Sequence, residues 1–73
     1  MREVGTVRER IVHALIQRYK ADGEAALVRI DALLKGEVVP GHEDVIGSID
    51  KQVAKIAFAE EKVATLRRHY GTN

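Results

Sequence analysis

The sequence has no cysteine and no tryptophan, with one proline, one phenylalanine and two tyrosines in 73 residues. Without cysteine, neither a disulfide nor a thiolate-ligated metal can hold a small fold together. That excludes a disulfide miniprotein and a zinc finger built on thiolates. A core drawn from this composition is aliphatic and rich in alanine. No run approaches the roughly 18 consecutive apolar residues of a membrane span. The opening residues, Met1-Arg2-Glu3-Val4-Gly5, lack the apolar stretch of a signal peptide. The expectation is a cytoplasmic protein with no membrane partner. An excess of one charge is missing too. Twelve Lys and Arg stand against eleven Asp and Glu, a net charge of +1, whereas a general nucleic-acid binder usually carries a marked basic excess.

Twenty-one of the 73 residues are Ile, Leu, Val or Phe, enough to expect a folded chain rather than a disordered one. The length allows one small domain, residues 1–73. A chain this short buries only about 60% of its unfolded surface. With no covalent or metal staple, a second copy of the chain is the simplest missing stabiliser.

The strongest interruption is Gly36-Glu37-Val38-Val39-Pro40-Gly41. Gly36 suits the left-handed position after a helix, and Pro-Gly marks a turn. Upstream, Thr6 and Glu9 form the pattern of a capping box. Apolar residues then recur at helical spacing through Val7, Ile11, Ala14, Leu15, Tyr19, Ala26, Ile30, Leu33 and Leu34. This predicts a helix over residues 6–35, with Ala21-Asp22-Gly23-Glu24 as its weak point. Asp22 can cap a new helix, and glycine costs about 1 kcal/mol in a helix interior. A kink is favoured there over a break into two helices. A three-helix monomer broken at Gly23 is the competing architecture.

Downstream, Glu43 and Asp44 suit a first turn, where acids oppose the helix dipole. Ile46, Ile49, Val53, Ile56, Glu60, Val63, Arg67 and Tyr70 then alternate in steps of three and four, an a/d heptad seam. This predicts a helix over 43–70, ended by Gly71, with a loop at 36–42. Two helices of similar length joined by a short loop lie antiparallel, as a hairpin roughly 40–45 Å long. The fold class is therefore all-α. The wide apolar arc of the first helix, which also includes Val12 and Ile16, exceeds what one partner helix can cover. A coiled-coil-like four-helix bundle, most simply a homodimer of hairpins, or a larger oligomer is expected. The oligomer seam is assigned to Ile46, Ile49, Val53, Ile56, Val63 and Tyr70.

Polar residues within these stripes are the first functional candidates. Glu60 occupies an a position, where a carboxylate is costly unless paired. A loop midpoint near Val39 and Pro40 sets Glu60 opposite Arg18 and Tyr19. A buried Glu60–Arg18 ion pair or Glu60–Tyr19 hydrogen bond is expected, fixing register and oligomer state. The second candidate is an anion site at the open end of the hairpin. Arg2, Arg8, Arg10, Arg67, Arg68 and His69 gather there against Glu3 and Glu9, whereas Glu37, Glu43, Asp44 and Asp50 gather near the loop.

Catalytic patterns are scarce. His13, His42 and His69 lie in different places, without the spacing of a helical metal pair. No metal or other cofactor is expected. Ser48 is the only serine, and no glycine-rich phosphate loop occurs. Glu60 and Glu61 are consecutive and diverge by about 100° on a helix, so they make no catalytic dyad. The function expected is a small non-enzymatic helical interaction module. It would act as a homo-oligomer on a protein partner, in the manner of an adaptor, inhibitor or regulator. The alternative is an anion-binding module for RNA, DNA or a nucleotide at the Arg-rich end.

Overall fold

The structure is a computed structural model that describes residues 5–40 and 44–71. Two helices, α1 (Val7–Lys35) and α2 (Val45–Tyr70), pack against each other as a helical hairpin with extents of 47 × 24 × 17 Å.

The ends of α1 follow from their sequence. Thr6 Oγ1 accepts a hydrogen bond from the Glu9 backbone N–H at 3.1 Å, and the Glu9 carboxylate accepts from the Thr6 N–H at 2.9 Å. This reciprocal capping box satisfies two donors that the helix itself cannot. At the other end Gly36 adopts φ 74°, the left-handed conformation that costs glycine nothing. The Gly36 N–H donates to the Leu33 carbonyl at 3.2 Å and the Glu37 N–H to the Ala32 carbonyl at 2.9 Å, a Schellman closure.

In α2, Asp44 is the N-cap rather than a first-turn residue: its carboxylate accepts from the Gly47 N–H at 2.6 Å. The helix therefore begins at Val45, two residues later than expected. Glu43 and His42 lie outside the described residues, as does Arg2. At the far end, Gly71 is extended (φ −81°) and its N–H donates to the Arg67 carbonyl at 3.0 Å.

The break into two helices at Asp22-Gly23 does not occur: α1 runs as one helix through it, as the favoured reading has it. Gly23 faces α2, and a Cβ built on it would lie 3.7 Å from the Ala59 methyl. The small residues at Gly23, Ala26 and Ala59 bring the two backbones close together, and that packing outweighs glycine's weak helix propensity.

The core is thin. Among the described residues only Ala26, Leu33, Ala59 and Ser48 are buried. Around them Val12, Ile16, Tyr19, Gly23 and Ile30 of α1 are half-buried, as are Ile49, Gln52, Ile56, Val63 and Leu66 of α2. The α1 stripe, from Val12 to Leu33, steps in alternating fours and threes.

Within the single hairpin, the stripe of α2 that faces α1 coincides with the expected seam only in part. Ile49, Ile56 and Val63 do face α1, but their companions are Gln52, Ala59 and Leu66, not Val53, Glu60 and Arg67. Ile46 is 80% exposed and Val53 49%, and Tyr70 is also exposed. Sharing one row and exchanging the other turns the helix by about 50°, half of one residue's step. Two causes favour the turn. It places Ala59 at the close approach with Gly23, and it moves the Glu60 carboxylate out of the interface, avoiding a desolvation cost.

Candidate functional site

The hairpin has two broad faces, one on each side of the seam, and they differ in chemistry. On one face, an open groove of ≈ 570 Å³ runs between the helices, lined by Tyr19, Leu27, Ile56, Val63 and Ala64, with Lys20, Glu24, Glu60 and Arg67 at its edges. The same stripes extend it toward the loop. Leu34 lies two turns beyond Leu27, and Val53 and Ile46 lie two and four turns before Glu60. Leu27, Leu34, Ile46 and Val53 are all exposed large apolar side chains.

The other face is basic. On α1, Arg18, Asp22, Ala25 and Arg29 follow one another at steps of four and three, so they share one row. On α2, Lys51, Lys55, Phe58, Lys62, Thr65 and His69 do the same. Between these rows lies a groove of ≈ 580 Å³ lined by Asp22, Arg29, Gln52, Lys55, Phe58 and Lys62, floored by Ala25, Ala26 and Ala59. Phe58 is 68% exposed there. Lys62 Nζ sits 5.0 Å from the Tyr19 ring centroid and 5.4 Å from that of Phe58. An ammonium between two aromatic faces is held by their quadrupoles. Arg18, Arg29, Lys55 and Lys62 make no ion pair among the described residues.

The residues singled out from sequence are placed as follows. Arg18 and Glu60 are both exposed and form no pair with each other. Tyr19 and Glu60 do line one groove, but Tyr19 engages Lys62 rather than the carboxylate. The expected Glu60 pair is thus absent from the single hairpin, because the rotation of α2 carries Glu60 to a rim where water solvates it.

The arginines of the open end are dispersed over different sides. Arg8 lies 5.3 Å from the centroid of Tyr70, whose ring is also near His69. Arg67 lines the Tyr19 groove and, with Glu9 and His13, a smaller cleft of ≈ 160 Å³. Arg68 pairs with Glu61 at 3.7 Å and makes a long 3.4 Å hydrogen bond to Thr65. Arg10 is exposed. These side chains do not converge on one point. Near the loop, Lys35 pairs with Asp31 at 2.9 Å along the same helix.

Among the described residues, no cluster of three or more His, Asp or Glu could hold a metal ion, and no helix is long and apolar enough to cross a membrane. The sequence reading overlooked the lysine row of α2. Its signal was available: the three-and-four spacing used to find apolar seams, applied to cations, picks out Lys51, Lys55, Lys62 and His69 with Phe58 among them. Comparison with protein-family models, curated proteins and solved structures finds no match to this chain.

Proposed function

We propose that the protein is a self-associating helical interaction module without catalytic activity, and that the Leu27–Val53 face is where a second hairpin docks. The observation that carries this reading is surface area. A compact chain of 8.1 kDa would expose about 4,500 Å², whereas this hairpin exposes 5918 Å². The difference, roughly 1,400 Å², exceeds the about 800 Å² that each partner buries in a standard interface. The chemistry of the face agrees. Leu27, Leu34, Ile46 and Val53 are exposed on two parallel stripes, and burying what remains exposed would contribute up to about 1.5–3 kcal/mol for Leu34 and Ile46 and about half that for the half-exposed Leu27 and Val53. Lys20, Glu24, Glu60 and Arg67 flank them with both signs of charge, as e and g positions do when they set the register between helices. In this assembly Glu60 would regain the registering role expected of it, across the dimer rather than within one hairpin. A four-helix bundle formed this way leaves the basic face outward, available to a further partner.

An anion site at the open end has weaker support. Arg8 is occupied by Tyr70 and Arg68 by Glu61.

Light scattering across a concentration series tests the proposal. The wild-type chain should measure as a dimer or larger, and Leu27→Lys combined with Val53→Lys should shift it to monomer. Val28→Lys, on the outer side of α1, should leave the assembly intact. A monomeric wild-type chain at every concentration would overturn the proposal.

A further inference from the structure

We infer that the basic groove between Arg29, Lys55 and Lys62, with Phe58 on its rim, binds single-stranded nucleic acid. The net charge of +1 conceals this face. Arg18, Arg29, Lys55 and Lys62 stand on it against one acid, Asp22, and none of the four cations is ion-paired among the described residues. Unpaired cations crowded on one surface repel each other and favour a polyanion.

Phe58 decides which polyanion. It is the only phenylalanine in the chain, yet it lies 68% exposed in the middle of the lysine row rather than in the thin core. Lys55 and Lys62 lie on either side of it, seven residues or about 10.5 Å apart along the helix. A flat aromatic platform bracketed by cations matches a nucleotide chain, with a base stacked on the ring and phosphates beside the ammonium groups. Lys62, already against the Phe58 and Tyr19 rings, would sit beside the stacked base. An acidic amphipathic helix fits less well. It needs an apolar floor to bury its stripe, and the floor here is Ala25, Ala26 and Ala59. A duplex fits less well again, because its bases are stacked on each other and present no free face to Phe58.

Fluorescence anisotropy with the full-length chain tests this. The probes are a labelled oligothymidylate, a duplex of equal length and a polyglutamate peptide. The single strand should bind best, with log K falling against log salt at a slope of about −2 to −3, as three to four phosphate contacts require. Phe58→Ala should weaken binding roughly tenfold, and Lys55→Gln with Arg29→Gln should lower both the affinity and the salt slope. Arg68→Gln, outside the groove, should change neither. Circular dichroism and light scattering on each variant separate a lost site from a lost fold or a lost dimer. No binding at low salt would overturn the inference. So would equal binding of polyglutamate, preference for the duplex, or undiminished binding by folded Phe58→Ala and Lys55→Gln variants.

Discussion

Replacing Gly23 with alanine should stabilise the protein, and the size of the effect follows from the packing. Gly23 lies near the middle of α1, where alanine is favoured over glycine by about 1 kcal/mol. Its backbone is not left-handed, since Gly36 is the one glycine with positive φ among the described residues. The added methyl would meet only the Ala59 methyl, at 3.7 Å, an ordinary van der Waals separation. Neither strain nor a clash offsets the gain, so stability should rise by about 1 kcal/mol. For a chain of this size that raises Tm by roughly 4–8 °C. Thermal unfolding followed by far-ultraviolet circular dichroism measures it, with protein concentration held equal because association shifts Tm by mass action. Gly23→Leu is the counter-test: its larger side chain would push Ala59 away and lower Tm. A Gly23→Ala protein with unchanged or lower Tm would refute the argument. It would mean that the helices approach more closely than 3.7 Å allows, or that α1 breaks at Asp22-Gly23 in solution.

Leu33 is the largest of the few buried side chains, at 4% exposure. Leu33→Ala should cost about 3 kcal/mol in urea unfolding, enough to leave a domain of this size largely unfolded. Full retention of stability would show that the seam lies elsewhere. Gly36→Ala forces a side chain into φ 74° and should cost about 1 kcal/mol, with the loss seen as a lower urea midpoint at unchanged slope.

The ends of α1 are legible in the sequence because they depend on local chemistry, whereas the start of α2 lies two residues later than expected. Thr6 with Glu9, and Gly36 with the carbonyls of Ala32 and Leu33, act within a few residues of themselves, and their types alone indicate where α1 starts and stops. The rotation of α2 was not legible in the same way. Ile49, Ile56 and Val63 belong to two possible seams, one completed by Val53 and Ile46 and the other by Ala59 and Leu66. Hydrophobicity favours the first. Close approach favours the second, because Gly23 and Ala26 on α1 leave room for a small residue opposite, and that complementarity appears only when the two helices are considered together. Gly23 shows the same dependence on a partner helix. In isolation it weakens a helix, but against Ala59 it lets one pack.

Charge shows the same contrast between linear and spatial order. Read along the chain, cations accumulate at the open end and acids near the loop, and dipole complementarity accounts for Arg67, Arg68 and His69 in the last turn of α2. Read around the helices, the division runs lengthwise. Arg29, Lys55 and Lys62 line one groove against Asp22 alone, while the other is bordered by both signs, Glu24 and Glu60 with Lys20 and Arg67. This lengthwise division bears on the assembly as well as on the ligand. Two hairpins meeting through their basic faces would bring at least eight unpaired cations together. Meeting through the Leu27–Val53 faces, they can set Glu24 and Glu60 of one copy against Lys20 and Arg67 of the other. Electrostatics therefore disfavour the basic face as a contact between copies at low salt, which would leave Phe58 outside the proposed dimer. A dimer that survives Phe58→Ala and Lys55→Gln unchanged, yet dissociates with Leu27→Lys and Val53→Lys, would separate the two faces experimentally. The opposite pattern would show that the exposed phenylalanine is an assembly contact instead.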